Sequence, residues 1–136
     1  QYSGRRNAVA ETNAAAVDVS MTDSNDYPCG TLIGLDIGTS TNTVKYTLPA
    51  VEAGCNYTWI VNDTAGTDVT LTISESAAGS GSVFGTAQMD NGAEDLSSGV
   101  LFAATKAEIG TRIDAVSDGN IWVLNVFGTA NVADVE

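Results

Sequence analysis

Histidine is absent from this sequence of 136 residues, and only five residues are basic against 17 that are acidic. Because histidine is the commonest general base and metal ligand, nucleophilic enzymes built on Ser–His or Cys–His pairs are excluded. Nucleic acids and anionic membranes both select basic surfaces, so the net charge of −12 argues against either partner. We expect no enzyme activity, catalytic residue, cofactor or metal ligand.

Proline and long apolar runs are also scarce. Only two prolines interrupt the chain, and no apolar run approaches the roughly 20 residues that span a bilayer. Residues 1–16 lack the apolar segment of a signal peptide. Val, Ile and Ala supply most of the hydrophobicity, and Thr, Gly, Ser and Asn fill much of the rest. That composition predicts short strands joined by tight turns, in one domain.

The two cysteines, Cys29 and Cys55, are candidates for a disulfide. Closing a loop of that length stabilises a fold by roughly 3 kcal/mol in the chain-entropy description. The alternative is two small buried hydrophobic residues in a reducing compartment.

About nine short segments alternate apolar and polar residues, the pattern of half-buried strands. The segments 56–62 and 68–74 flank a turn-forming stretch and predict a hairpin. Segments 112–116 and 121–127 flank Asp118-Gly119, a pair typical of tight hairpin turns. The acidic segment 90–98 reads as a loop. No stretch has helical periodicity, and no internal repeat is evident, which argues against a solenoid.

These patterns predict an all-β fold, an antiparallel β-sandwich or flattened barrel with a jelly-roll-like path. We expect an extended N-terminal arm over residues 1–16, a single β domain over 17–128 and a C-terminal tail over 129–136.

Four residues are candidate contacts with another subunit or a larger assembly: Arg5, Arg6, Trp122 and Phe127. The two arginines make the arm slightly basic ahead of a strongly acidic body, so the arm suits an acidic neighbour or a sister copy. The alternative is a frayed terminus with two solvated charges. Both aromatic residues are suitable anchors of an interface, or alternatively of the core.

Two further features resemble functional motifs. Asp36 in the stretch 33–40 is similar to the acidic residue of a phosphate-binding motif and of the Asp-Thr-Gly element of aspartic proteases, but the remaining elements of both families are not identifiable. Acidic clusters at Asp23/Asp26 and Asp90/Glu94/Asp95 offer oxygen ligands of the kind that Ca²⁺ prefers. They lack the alternation of a dedicated calcium loop, and acidic surface turns account for them.

The segment from Tyr46 to Gly128 resembles a β domain that recurs in virion proteins of tailed bacteriophages, including head decoration and fibre proteins. Three stretches carry the likeness: residues 46–61, from Tyr46-Thr47-Leu48-Pro49 to the aromatic strand; residues 69–85; and residues 110–123, which contain Ser117-Asp118-Gly119-Asn120 and Trp122. Cys55 and Thr111 depart from the usual residues. The family has no catalytic residues to carry over.

The resemblance implies a non-enzymatic capsid decoration or stabilisation protein on the virion exterior. Its partners would be further copies of itself, often as a homotrimer, and the major capsid protein or another virion protein. Two alternatives remain open from the residues. One is a receptor- or glycan-binding module of a phage fibre, and the other is a secreted or filament-forming structural subunit.

Overall fold

The computed structural model describes residues 8–12, 17–22, 27–37, 43–64, 70–75, 81–89, 92–128 and 133–134. Within these ranges the chain forms strands and turns but no helix, so the all-β prediction is confirmed. The strands are β1 (Ala8–Thr12), β2 (Val17–Ser20), β3 (Thr31–Asp36), β4 (Val44–Thr47), β5 (Asn56–Asp63), β6 (Leu71–Ser74), β7 (Val83–Met89), β8 (Gly92–Ser97), β9 (Gly99–Phe102), β10 (Arg112–Ser117), β11 (Trp122–Phe127) and β12 (Ala133–Asp134).

The strands form two open sheets. Seven strands make one sheet in the order β1-β3-β5-β10-β11-β7-β8, and five make the other in the order β12-β9-β6-β4-β2. Strand pairs β1–β3, β3–β5, β7–β11, β2–β4 and β4–β6 are parallel, and the other described pairs are antiparallel. The sheets are therefore mixed and not closed. The expected antiparallel pairing holds for only part of the fold, and the flattened barrel is wrong.

The first six strands wind as a coil. They alternate between the two sheets, so each turn adds one strand to each sheet, parallel to the strand before it. In the five-stranded sheet Val17, Val44 and Leu71 occupy equivalent positions, 27 residues apart each time. The argument against a solenoid missed this path, because the turns are similar in length, with offsets of 24 to 27 residues between paired positions, but have no common residue pattern.

The hairpin predicted between segments 56–62 and 68–74 is wrong. β5 lies in the seven-stranded sheet between β3 and β10, whereas β6 lies in the other sheet between β4 and β9. Both segments are strands, as their alternation predicts, but the link between them crosses from one sheet to the other.

The hairpin predicted around Asp118-Gly119 is confirmed. β10 and β11 pair antiparallel from Ser117 opposite Trp122 to Arg112 opposite Phe127. Gly119 has φ +96°, a conformation that glycine adopts without the steric cost of a side chain. This hairpin lies between β5 and β7, so it connects the coiled half of the seven-stranded sheet to β7 and β8.

Both sheets contribute to one core. Inward residues of both form a single cluster of buried side chains, and the ring of Tyr46 on β4 lies 5.8 Å from that of Trp59 on β5. The largest members are Trp59, Trp122, Tyr46, Phe102, Met21, Ile33, Leu35 and Ile37. Their burial follows the period-2 alternation, since successive side chains of a strand point to opposite faces.

Three strands lie in segments where the sequence predicted none. β1 falls within the predicted arm and pairs with β3, and β12 falls within the predicted tail and pairs with β9. β8 occupies the acidic segment that was interpreted as a loop, and it pairs with β7 along its whole length. The rest of the predicted arm, residues 1–7 and 13–16, lies outside the described residues.

A disulfide joins Cys29 to Cys55. It attaches the segment before β3 to the start of β5, where the N–H of Gly30 also donates to the carbonyl of Asn56 at 2.7 Å. The hydroxyl of Tyr57 donates to the carbonyl of Tyr27 at 2.8 Å. Burial raises the pKa of Tyr57, and the charge of Glu52 adds to that effect. Covalent and hydrogen bonds thus hold the same segment against β5.

Replacing Gly85 with alanine should destabilise the fold by about 3 kcal/mol or more. Gly85 lies opposite Leu124 in the β7–β11 pair, and an added Cβ would collide with the carbonyl oxygen of Leu124. Gly54→Ala is the matched control, because Gly54 also has a positive φ but no atom lies within 4 Å of an added Cβ. This substitution should lower the free energy of unfolding by only about 1 kcal/mol. Urea unfolding measures the free energy of unfolding of both variants. Equal losses for the two would contradict the close approach of Gly85 to the backbone of Leu124.

Removing the disulfide as Cys29→Ala/Cys55→Ala should lower the free energy of unfolding by about 3.5 kcal/mol. The cross-link spans 26 residues of sequence, and the estimate is the loop-closure entropy that the unfolded chain regains. The urea midpoint of the double variant, compared with oxidised and reduced wild-type protein, measures the loss. An unchanged midpoint after reduction would contradict it.

Candidate functional site

The side chains that point away from the core on the four central strands of the seven-stranded sheet form its outer face. Each strand contributes three, since alternate residues share a face. The outer face consists of Asn56, Thr58 and Ile60 on β5, Arg112, Asp114 and Val116 on β10, Val123, Asn125 and Phe127 on β11, and Phe84, Thr86 and Gln88 on β7.

Exposed apolar side chains are concentrated on the outer face. Val116 and Phe127 are each 48% exposed, Phe84 is 42% exposed and Ile60 is 37% exposed. Among the described residues, only one other large hydrophobic residue is comparably exposed, Ile109 in the link before β10. Because large apolar patches on soluble proteins mark interaction sites, this surface is the candidate functional site.

The strand register arranges these apolar side chains in two places. Phe84, Val123 and Val116 are direct neighbours on β7, β11 and β10, so they form a continuous apolar row across the sheet. Phe127 and Ile60 lie four residues away from that row along their strands, one on each side of Arg112.

A polar row separates the two apolar areas. The guanidinium Nε of Arg112 donates to both carboxylate oxygens of Asp114 at 3.2 Å, and the hydroxyl of Thr58 donates to Asp114 Oδ1 at 2.8 Å. Asn125 lies opposite Asp114 on β11, and Thr86 follows on β7. Paired charge and hydrogen-bonding groups thus occupy the centre of the outer face.

The candidate contact residues fall in different places. Trp122 is only 1% exposed, and its indole N–H donates to the carbonyl of Pro49 at 2.9 Å, so it belongs to the core as the structure stands. Phe127 is on the outer face. Arg5 and Arg6 lie outside the described residues.

The residues considered for chemistry do not converge on a centre. Asp36 lies at the end of β3, opposite the exposed Asp63 of β5. Asp23, Asp26 and Asp90 lie outside the described residues. Within the part of the chain that the structure describes, no group of three or more His, Cys, Asp or Glu residues could hold a metal ion. No helix there is long and apolar enough to cross a membrane.

The turn of the central hairpin is fixed by a carboxylate. Asp118 Oδ1 accepts the backbone N–H groups of Asn120 at 2.8 Å and Ile121 at 3.0 Å. These hydrogen bonds hold the pKa of Asp118 below its usual range, because they stabilise the ionised form. The hydroxyl of Ser117 accepts the N–H of Gly119 at 3.1 Å. The turn thereby positions the two strands that carry half of the outer face.

Comparison with known proteins adds no identification: no family model, no curated protein and no solved structure matches the chain. The outer face must therefore be interpreted from its own residues. Alternation in β5 puts Ile60 on the opposite face from the buried Trp59. Phe84 and Val116 were missed, because alternation alone does not reveal which face of a strand meets the core.

Replacing Asp118 with alanine should destabilise the protein at neutral pH. The folded-state pKa of Asp118 is lowered, so its contribution is present above the unfolded-state value of about 3.9 and is lost as the pH falls through the folded-state value. The difference in urea midpoint between wild type and Asp118→Ala should therefore shrink below about pH 4.

Asp118→Asn serves as the control, because its amide oxygen still accepts the two N–H groups but carries no charge. Its midpoint relative to Asp118→Ala should not vary with pH across the same range. A constant wild-type advantage over Asp118→Ala from pH 7 to pH 2 would contradict the role of the ionised carboxylate.

Proposed function

We propose that this protein is a non-enzymatic structural component of a virus particle, a decoration or stabilisation protein on the capsid exterior. The observation that carries the proposal is the outer face, a broad exposed surface of apolar side chains with a paired charge at its centre. Such a surface suits assembly, because shape and apolar contact rather than a reactive group provide the affinity. The likeness of residues 46–128 to tailed-phage virion domains supports the virion as the setting.

The charge distribution is compatible with dense display on a particle. The chain has a net charge of −12, which keeps crowded copies soluble and discourages non-specific association. The outer-face positions carry one acidic and one basic residue, Asp114 and Arg112.

The disulfide supports an exterior location. Disulfides persist on virion and cell surfaces and are rare in reducing compartments. Cys29 is exposed whereas Cys55 is buried, so a surface segment is tied to the core. The same bond is compatible with a secreted or filament-forming subunit, which we retain as an alternative setting.

Three finer features belong to the proposal and follow from sequence expectations. We propose that the two sheets stack as a sandwich, and that a terminal arm bearing Arg5 and Arg6 contacts an acidic surface of a sister copy or the major capsid protein. The phage resemblance further implies a homotrimer. A jelly-roll-like path would require antiparallel pairing, and the five parallel pairs disfavour it.

A receptor- or glycan-binding module is the second candidate function. The polar row of Asp114, Asn125 and Thr86 is flanked by the exposed rings of Phe84 and Phe127. Hydrogen-bonding side chains beside an aromatic ring are the groups that fix a polar ligand on a protein surface. Sugars of a host surface are the ligands that this arrangement would accept.

The proposed function predicts that the protein sediments with virus particles. Density-gradient fractionation of a lysate that contains particles should place it in the particle band, and light scattering of the free protein should report an oligomer. Arg5→Ala/Arg6→Ala should lower its occupancy on particles while leaving the mass of the free protein unchanged.

A lysate without particles is the control for aggregates that sediment by themselves. Protein found only at the top of the gradient, as a monomer, would overturn the proposal. Binding of that monomer to a host glycan array, lost in Phe84→Ala, would instead support the second candidate.

A further inference from the structure

We infer that a second copy of this chain covers the outer face, with the two seven-stranded sheets stacked about a two-fold axis that runs along the strands between β10 and β11. The inference rests on the self-association that the proposed function includes, and it does not depend on the virion. It names the surface through which two copies meet.

Charge favours a sister copy as the occupant. Two chains of net charge −12 repel each other, so stable pairing requires a surface that is depleted of acidic residues. Three outward positions on each of four strands, twelve in all, include only Asp114 and Arg112 as charged residues, and these two form an ion pair at 3.2 Å. The outer face is thus neutral, although the chain has 17 acidic residues.

The register of β10 and β11 makes this face self-complementary. Arg112 lies opposite Phe127, Asp114 opposite Asn125, and Val116 opposite Val123. A two-fold rotation about an axis between these strands exchanges β10 with β11. Each β10 residue would therefore face the second copy's equivalent of its own β11 neighbour.

The contacts that result are chemically matched. The guanidinium of Arg112 would meet the ring of Phe127, a cation–π arrangement. The carboxylate of Asp114 would accept from the amide of Asn125, and Val116 would pack on Val123. A two-fold pairing of this kind uses one patch on both copies, as isologous interfaces do.

The size of the outer face suits a weak dimer. At about 4.8 Å between strands and about 3.3 Å per residue, its four strands of six residues present a face of roughly 19 Å by 20 Å, or about 400 Å² in projection. Stable interfaces bury about 800 Å² on each partner, and weak ones bury less than about 600 Å². Because side chains make the accessible area larger than the projection, a stacked pair reaches the range of weak interfaces.

The test is the mass of the purified wild-type protein by sedimentation equilibrium, compared with Val116→Arg. Val116 is 48% exposed, so the substitution should leave the fold intact, as near-UV circular dichroism can verify. We expect an even number of chains for the wild type, two alone or six if trimers also form. Val116→Arg should raise the dissociation constant for the pair by about tenfold or more, because arginine on an apolar contact is desolvated.

Ala103→Arg is the matched control, since it adds the same charge at an exposed position after β9 of the other sheet. It should leave the mass unchanged. A charge-swap experiment tests the geometry: Val116→Arg and Val123→Glu should each weaken pairing alone, and a mixture of the two should pair again, because position 116 of one copy faces position 123 of the other.

A monomeric or trimeric wild type, an unaltered mass for Val116→Arg, or no recovery in the mixture would each overturn the inference. If the protein gains mass only when capsid protein or a glycan is added, the outer face has a different occupant. That result also overturns the inference. Particle association is measured separately by gradient fractionation. A wild type that enters the particle band without pairing through the outer face overturns this inference alone, whereas a protein that pairs but stays out of the particle band counts against the proposed function alone.

Discussion

The insertion of one hairpin between two other strands is the constraint on which this fold depends. β10 and β11 lie between β5 and β7, and they are the only connection within the described seven-stranded sheet between the coiled half of the chain and β7–β8. This position constrains both strands of the hairpin, since β10 pairs antiparallel with β5 whereas β11 pairs parallel with β7. Both edges of the hairpin must match partners that come from distant parts of the sequence.

Several interactions far apart in the sequence secure this hairpin. The indole N–H of Trp122 donates to the carbonyl of Pro49, and the N–H of Glu52 donates to the hydroxyl of Ser117 at 3.3 Å. The N–H of Gly54 donates to the carbonyl of Ser117 at 2.9 Å. The link between β4 and β5 therefore wraps against the hairpin turn. The disulfide starts from the end of that same link, so local turn chemistry and a long-range cross-link act on one region.

The outer face is a consequence of that arrangement. Because β10 and β11 occupy the centre of the sheet, their outward side chains meet no edge and no other layer among the described residues. Placing Val116, Val123 and Phe127 there leaves apolar surface exposed in the single chain, which costs solvation free energy unless another surface covers it. The ion pair of Arg112 and Asp114 lies at the centre of that surface.

The sequence by itself determined most of the segments that become strands and, within each of them, which side chains share a face. Segments 56–62 and 68–74 are both strands, as their alternation predicts, and the Asp118-Gly119 turn correctly predicts the β10–β11 hairpin. These features are local, since side-chain alternation and positive φ at glycine depend on a few adjacent residues.

Only the tertiary structure decided which strands pair outside that hairpin and which face of each strand is buried. Segments 56–62 and 68–74 are both strands, yet they lie in different sheets, and the acidic segment 90–98 becomes β8 because β7 offers it a free edge. It also decided that Trp122 is buried while Phe127 is exposed. The physical reason is that a pleated strand has two equivalent faces and two equivalent edges, and contacts with residues far along the chain select among them.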